Sequence, residues 1–135
     1  MPLGNRKSNP DSVLKALLQV MDDAVVIKSP DGKITLWNRA AAEMFGYSAP
    51  EVIGESADIL IPKTELQPWR DCEKRLRGDG KVRRWKTIRL AKGGERIRVK
   101  VTVTVTDQRR PTKSEIVELY RCFTPELETV ASHSS

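Results

Sequence analysis

The run RIRVKVTVTVT, residues 96–106, constrains the fold of this chain more than any other segment. Apolar and polar residues alternate along it, with one set formed by Ile97, Val99, Val101, Val103 and Val105 and the other by Arg98, Lys100, Thr102 and Thr104. A repeat of two residues places each set on its own face of a β-strand. The segment is therefore predicted to be a strand with one face on a core and the other face in water.

Four further segments are predicted to be strands. Val82–Leu90 is joined to the alternating run by AKGGE, and Glu115–Phe123 follows it after the loop DQRRPTK. Nearer the start of the chain, Ala24–Ile27 and Ile34–Trp37 flank a Pro-Asp-Gly turn. An Asp-Gly pair between two strand-like runs indicates a β-hairpin, so the first two strands are predicted to pair with each other.

Short helices are predicted between the second and third strands, each from signals at its ends. Asn38 has a side-chain oxygen that can accept from the free amides of a first helical turn, and Gly46 suits the left-handed residue that ends a helix. Ser48 and Glu51 have the spacing of a capping box. A second brief helix is therefore predicted to begin there and to end at Gly54.

Two other helices are predicted, one before the first strand and one before the third. The first spans residues 10–22, where apolar residues recur at helical spacing and give the helix one apolar side. The second runs from residue 63 to about residue 76 and is closed by Gly78 and Gly80. This order of elements predicts an α+β domain with an antiparallel sheet and helices gathered on one side.

Length and composition exclude several classes of protein. A chain of 135 residues with 39% hydrophobic and 31% charged residues suits one globular domain. No apolar run approaches the ~20 residues that span a bilayer, and the first residues have no apolar segment of a secretion signal, so a cytoplasmic location is expected. Cys72 and Cys122 stand far apart and are expected to be reduced thiols.

The sequence gives no support for catalysis. The single histidine, His133, lies in the terminal SHSS, which argues against histidine catalysis and a histidine-ligated metal. Carboxylates such as Asp22, Asp23 and Asp31 fall at helix ends and turns, where capping accounts for them. The glycines form no phosphate-cradling motif, so the chain is not expected to be an enzyme.

Basic residues crowd the hairpin predicted for the third and fourth strands. The chain has a formal net charge of +6, and the cations of this hairpin are Lys81, Arg83, Arg84, Lys86, Arg89, Lys92, Arg96, Arg98 and Lys100. Such a band could bind nucleic acid phosphates, dock an acidic protein or simply face solvent. No helix-turn-helix, zinc or aromatic-stacking motif is present, which argues against nucleic acid as the partner.

The run from Asp23 to Glu55 resembles the first half of a PAS domain. Its pieces are the hairpin DAVVIKSPDGKITLWN, the helix NRAAAEMFGYS and the segment APEVIGE, in the usual order and spacing, and the later KGGERIRVKVTVTV resembles the family's third-to-fourth strand hairpin. The resemblance covers about residues 12–124. It implies a five-stranded antiparallel sheet of order 2-1-5-4-3, curled around short helices so that a cavity can form between them.

The resemblance also implies a division of the chain. Residues 1–9 are expected to be a disordered N-terminus, residues 10–22 an amphipathic cap helix, residues 23–124 the PAS-like domain and residues 125–135 a polar tail. Such domains are sensory and protein-interaction domains of signal-transduction systems. The chain is therefore expected either to bind a small ligand or to act as a ligand-free dimerisation module, with a basic nucleic-acid-binding accessory domain as a further alternative.

Candidate ligand-binding residues follow from the implied cavity: Ile27, Phe45, Ile53, Trp69 and Trp85. The alternative is that these side chains only pack the core. Trp85 is out of phase with Ile88 and Leu90 in the third strand, so it is also a candidate for the outer face, where it would suit a partner surface.

The resemblance argues against two cofactors. Flavin photosensors of the family need a cysteine in an Asn-Cys-Arg-Phe-Leu-Gln segment, where this chain reads ADILIPKTE. Haem-binding members usually ligate iron through a helix histidine, and this chain has none in that place. A covalent flavin adduct and a histidine-ligated haem are therefore not expected, whereas a non-covalent flavin or a small apolar ligand stays open.

The cap helix of the family commonly packs on the outer face of the sheet and against the same helix of a second protomer. Candidate residues of such a homodimer interface are Leu14, Leu17, Leu18 and Met21, and the alternative is that they cover only their own sheet. The last strand reads Cys122-Phe123-Thr124 where the family typically has Asp-x-Thr before a signalling helix. The chain is thus either a piece of a sensor kinase or similar regulator, or a domain that signals by association.

Overall fold

The computed structural model describes residues 9–123, in which five strands form one antiparallel sheet. The strands are β1 (Ala24–Lys28), β2 (Ile34–Trp37), β3 (Arg83–Leu90), β4 (Arg96–Val105) and β5 (Ile116–Cys122). Their order is β2-β1-β5-β4-β3, which confirms the predicted fold class and the predicted sheet order. The predictions for residues 1–8 and 124–135, including His133, lie outside the described residues.

The helices are α1 (Pro10–Val20), α2 (Arg39–Phe45), α3 (Ala49–Val52) and α4 (Lys63–Asp79), with short 3-10 helices at Ala57–Leu60 and Pro111–Lys113. The hydrophobic core is formed between one face of the sheet and α2, α3 and α4. The sequence placed the strand ends within one residue, and it identified the starts of α2 and α3 from their capping residues. No helix within residues 9–123 is long and apolar enough to cross a bilayer.

The alternation of β4 sets the inner and outer faces of the sheet. Its valines are buried in the core, while Arg98 and Lys100 are exposed. Residues that stand directly opposite each other in an antiparallel pair share a face. Val101 lies opposite Trp85 of β3 and Tyr120 of β5, so these three side chains share the inner face.

Asn38 is the cap of α2, as predicted, and it also joins three elements. Its Oδ1 accepts hydrogen bonds from the backbone N–H groups of Ala41 and Val25, both at 2.9 Å. Its Nδ2 donates to the backbone oxygens of Leu18 and Asp23, both at 3.1 Å. Because Asn38 is buried, these four bonds fix α1 and β1 relative to the start of α2.

The end of α4 differs from the prediction. The helix continues to Asp79, so Gly78 lies inside it, and Gly80 alone ends it with a φ of 70°. The extra turn is held by Arg77, whose Nη1 donates to the carbonyl oxygen of Ser114 at 3.3 Å and whose Nη2 donates to that of Pro30 at 3.2 Å. These tertiary bonds outweigh the weak helix preference of Gly78.

Candidate functional site

A cluster of polar side chains lies on the inner face of the sheet, beneath α4. Lys28 of β1 and Glu118 of β5 are buried there, with Lys28 Nζ 3.1 Å from Glu118 Oε2. The other oxygen of Glu118 accepts a hydrogen bond from the hydroxyl of Tyr120 at 2.6 Å. Glu73 of α4 is a second, partly exposed carboxylate, 3.7 Å from Lys28 Nζ. The interior of this domain is therefore ionic as well as apolar.

Arg89 of β3 extends this cluster along the inner face to the strand at the edge of the sheet. It is 1% exposed, its Nη1 donates to the backbone oxygen of Ile88 at 3.1 Å, and its Nε lies 3.4 Å from the hydroxyl of Tyr120. Its guanidinium carbon is 5.8 Å from the ring centre of Tyr120 and 5.7 Å from that of Trp69. Arg89 is thus a buried cation placed between two aromatic rings, a favourable setting for a guanidinium.

Trp69 of α4 is the centre of the aromatic part of the site. Its ring stacks on Trp85 with a centroid distance of 6.0 Å, and Lys28 Nζ lies 4.1 Å from the ring centre. Phe45 completes the set, because its ring meets the edge of Tyr120 at 5.3 Å. The buried indole N–H of Trp69 has no hydrogen-bond acceptor among the described residues.

The environment changes the ionisation of two of these groups. Burial raises the pKa of Tyr120, and the neighbouring Glu118 raises it further, so the phenol stays neutral at physiological pH. Burial acts to lower the pKa of Arg89, but the neighbouring Tyr120 and Glu118 outweigh this effect and the net shift is upward. Arg89 therefore remains a full positive charge in the interior.

The structure brings together three of the five residues predicted to contact a ligand. Phe45, Trp69 and Trp85 lie together on the inner side of the sheet. Ile27 is placed elsewhere, because it alternates with the inward residues of β1 and lies on the outer face. Ile53 follows the last residue of α3 and is 44% exposed, so it does not border the interior in this structure.

The suggestion that Trp85 faces outward is wrong. Trp85 packs against the core because it lies opposite Val101, and the apolar residues that face outward on β3 are Ile88 and Leu90. Ile88 and Leu90 therefore do not mark the inner face of β3, and Trp85 shares that face with Arg89.

Sequence reasoning missed the ionic residues of the site. Lys28, Glu118 and Arg89 were absent from the predicted ligand set because charged residues are expected to face water. A weak signal was present in their spacing. Lys28 is in phase with the buried residues Ala24 and Val26, and Glu118 lies midway between buried Ile116 and Tyr120.

The N-terminal helix α1 presents a second candidate surface. Leu14 is 51% exposed and Leu17 is 53% exposed, whereas Leu18 is only 9% exposed and packs on the domain. Val13 and Val20 are exposed as well, and Met21, just after the helix, is half-buried. Of the four predicted interface residues, Leu14 and Leu17 are therefore available to a partner, and Leu18 serves mainly to hold α1 in place.

The basic residues of the β3–β4 hairpin divide between the two faces. Arg84, Lys86, Arg96, Arg98 and Lys100 alternate with the inward residues and are exposed on the outer face, whereas Arg89 points inward. Lys86 stands directly opposite Lys100, and its Nζ lies 5.4 Å from the ring centre of Phe123. The outer face of this hairpin is thus strongly basic. Whether it binds nucleic acid, docks an acidic protein or only faces solvent stays open, as in the sequence analysis.

Cysteines and metal-binding groups play no visible part in the site. Cys72 and Cys122 are free, and burial raises the pKa of the Cys72 thiol, which makes it less reactive. Across residues 9–123, no three His, Cys, Asp or Glu side chains are grouped so that they could hold a metal ion.

Comparison with known proteins agrees with this architecture. The family model of the PAS fold matches residues 13–117. The sensor protein FixL of Bradyrhizobium diazoefficiens is 31% identical over 74 residues, which are 55% of this chain and 13% of FixL. This chain thus spans only a small part of that curated relative.

Solved structures show the same fold. A PAS domain from Colwellia psychrerythraea has a TM-score of 0.77 at 16% identity, covering 86% of this chain and 98% of that one. A LOV protein of Rhodobacter sphaeroides has a TM-score of 0.72 at 13% identity, covering 87% and 70%. The PAS domain of a LuxR-family transcriptional regulator from Burkholderia thailandensis, solved in complex with ethanol, has a TM-score of 0.66 at 19% identity, covering 78% and 93%.

These structural likenesses show the fold, and the family model adds sequence evidence over most of the described residues. The sheet order β2-β1-β5-β4-β3 is the order that the resemblance implied, and the capped short helices between β2 and β3 are formed by the segments that carry it. On this evidence the chain belongs to the PAS family.

Proposed function

We propose that this PAS domain is a sensory and protein-interaction domain of a signal-transduction protein, and that it acts as a homodimer formed through α1. The observation that carries the proposal is the exposed apolar side of α1. Leu14 and Leu17 are each about half exposed, on a helix that the buried Leu18 fixes to the domain. Exposed apolar clusters of this kind mark interaction surfaces.

An apolar row on the outer face of the sheet begins beside α1, where Leu18 and Leu36 border the same hollow. Leu36 of β2, Ile27 of β1 and Val117 of β5 stand opposite one another in a row, and each is half-buried. Full burial of a leucine or valine contributes about 1.5–3 kcal/mol, so covering the exposed half of α1's two leucines also contributes about 1.5–3 kcal/mol per protomer. Association itself costs at least about 4 kcal/mol, so the row on the sheet is expected to join the interface.

A second copy of the chain is the partner that suits this surface best. A two-fold dimer places the same patch on both sides of the interface, so one apolar helix side covers another without a separate complementary partner. Asn38 then provides a route for a signal. It bonds to α1, β1 and the start of α2, so a change inside the domain alters the position of the helix at the dimer interface.

Binding of a small molecule is the second candidate function. It is favoured by the arrangement of Phe45, Trp69 and Trp85 beside Arg89 on the inner face of the sheet. Ligand sites usually combine apolar walls with a few polar groups, and this region has both. The class of ligand that suits it is argued below.

Light scattering coupled to size exclusion tests the dimer. The wild-type chain is expected to elute at twice its mass of 15.2 kDa, and Leu17→Glu is expected to elute as a monomer with unchanged circular dichroism. Ser12→Glu is the matched control, because it adds the same charge to exposed α1 without changing an apolar side chain. A wild-type monomer at all concentrations, or a dimer that Leu17→Glu leaves intact, would refute the proposal.

The other functional expectations stay predictions. They concern the cytoplasmic location, the lack of enzymatic activity, the output protein or module, and the absence of a covalent flavin or a histidine-ligated haem. A nucleic-acid partner for the basic outer face, if it existed, would bind with a steep dependence on salt, and this dependence separates it from an apolar partner of α1.

A further inference from the structure

We propose that the interior between α4 and β3 binds a small molecule with a single carboxylate, and that Arg89 and Trp69 hold this group. The inference rests on the proposed sensory function and names the chemical class of its ligand. It is carried by two observations: an unbalanced buried cation and a buried hydrogen-bond donor without an acceptor.

The first observation is the charge balance of the interior. The fully buried ionic groups include two cations, Lys28 and Arg89, and one carboxylate, Glu118. Glu118 is occupied on both oxygens, by Lys28 at 3.1 Å and by the hydroxyl of Tyr120 at 2.6 Å. Arg89 forms no ion pair within residues 9–123. Buried charges are normally paired, so this site has one positive charge in excess.

The acidic residues of α4 do not remove this excess. Glu73 lies 3.7 Å from Lys28 Nζ and also 3.7 Å from Arg77 Nη2, so it is shared between two other cations. Glu65 accepts a hydrogen bond from the hydroxyl of Thr87 at 2.9 Å. Its charge helps to raise the pKa of Arg89, but its hydrogen-bonded link to Arg89 runs through that hydroxyl, which lies 3.5 Å from Arg89 Nη1.

The second observation is the number of unused or weakly used donors. Arg89 makes one bond of ordinary length, to the backbone oxygen of Ile88 at 3.1 Å, and its contacts with Tyr120 and Thr87 are 3.4 and 3.5 Å long. The N–H of Trp69 makes none among the described residues. A carboxylate suits this set, because a guanidinium binds it with two parallel bonds and its oxygens retain capacity for the indole N–H.

The surrounding rings limit the rest of the ligand. Arg89 lies beside the rings of Trp69 and Tyr120, which pack in turn on Trp85 and Phe45, so its surroundings are largely aromatic. Such surroundings favour a small, flat or aliphatic body. Trp69 and Arg89 are both buried, so a ligand enters when α4 moves away from β3. Binding is therefore coupled to the position of α4.

The probes are acetate, propanoate and benzoate, each compared with its neutral amide at equal ionic strength, on the full chain. The readout is the indole N–H resonance of Trp69 in a nitrogen–proton correlation spectrum, together with the melting temperature. At least one carboxylate is expected to shift the Trp69 resonance saturably, with a dissociation constant of about 1 mM or below, and to raise the melting temperature. The matching amide is expected to bind at least about tenfold more weakly.

Two substitutions locate the site. Arg89→Gln removes the buried charge, and it is expected to weaken carboxylate binding at least tenfold, whereas Arg98→Gln removes a charge from the exposed outer face and leaves binding unchanged. Trp69→Phe keeps an aromatic ring without the N–H donor. It is expected to reduce the thermal shift, and it serves as the test if Arg89→Gln fails to fold.

Several results would overturn the inference. These are a Trp69 resonance that no carboxylate moves, equal shifts by acid and amide, or unchanged binding in folded Arg89→Gln. Failure of the ligand class is distinguishable from failure of the sensory function. If native mass spectrometry of the purified protein shows a bound neutral molecule, the carboxylate assignment is wrong while the sensory function stands.

Discussion

Asn38 offers the sharpest test of how the parts of this domain are joined, and replacing it with alanine is expected to be strongly destabilising. The side chain is buried and makes four hydrogen bonds, two at its oxygen and two at its nitrogen. A hydrogen bond contributes about 1 kcal/mol net, so Asn38→Ala is expected to cost about 4 kcal/mol. That is a large part of the 5–15 kcal/mol that typically stabilises a domain.

Asn38→Asp separates the two halves of this role. Aspartate keeps the oxygen that accepts from Ala41 and Val25, but it has no N–H groups for the backbone oxygens of Leu18 and Asp23. The cap of α2 should therefore survive while α1 loosens. We expect a cost of about 2 kcal/mol, plus repulsion between the carboxylate and the two carbonyl oxygens.

Urea unfolding followed by tryptophan fluorescence measures the total cost, and hydrogen exchange locates it. In Asn38→Asp, residues 10–20 should exchange faster while residues 39–45 remain protected, and in Asn38→Ala both segments should exchange faster. Asn9→Ala is the control, because Asn9 is an exposed cap with one bond of 2.9 Å to the N–H of Asp11 and should cost about 1 kcal/mol. A cost below 1 kcal/mol for Asn38→Ala, or unchanged exchange of α1 in Asn38→Asp, would refute this reasoning.

Three further predictions concern the ends of helices and the buried ion pair. Gly80→Ala should destabilise the domain by about 1–2 kcal/mol in urea unfolding, because Gly80 has a φ of 70° and a Cβ there would lie 3.3 Å from a backbone oxygen. Gly78→Ala, inside the helix with open space around it, should instead stabilise the domain by about 0.5–1 kcal/mol. A hydrogen bond from Lys92 lowers the pKa of Glu51 from 4.5 to about 2. The contribution of ionised Glu51 to stability should therefore be complete above pH 4.5 and lost as the pH falls towards 2. A carbon-detected titration of this carboxyl group with a midpoint near 4.5 would contradict this. Glu118→Ala should cost about 3–5 kcal/mol because it leaves Lys28 buried without its nearest carboxylate, and the double change Lys28→Met with Glu118→Leu should cost less than Glu118→Ala alone in the same assay.

The fold was predictable because its strongest signals are local. The alternating valines of β4 identify the central sheet, and the caps at Asn38 and Ser48 place two short helices without any knowledge of the tertiary structure. Where tertiary bonds act, the local signals failed. Gly78 was expected to close α4, and the bonds from Arg77 to distant carbonyl oxygens carry the helix past it.

The site was predictable only in its aromatic part. Phe45, Trp69 and Trp85 were identified as large apolar side chains that a core or a cavity must contain. The position of Arg89 depends on the register between β3 and β4, which places Arg89 opposite Ile97, and no rule of composition places a charge inside a core. The same register corrects the orientation of Trp85.

Oxidative cross-linking of α1 tests the central claim, that two copies of this domain meet through that helix. In a Cys122→Ser background, Leu17→Cys places a thiol on the exposed side of α1, and Lys113→Cys places one on an exposed residue far along the chain. A disulfide needs Cα atoms about 4.4–6.8 Å apart, so only cysteines at a close two-fold contact join efficiently. The account predicts a covalent dimer of Leu17→Cys under mild oxidation and none of Lys113→Cys. A Leu17→Cys chain that stays monomeric, or equal cross-linking at both positions, would contradict it.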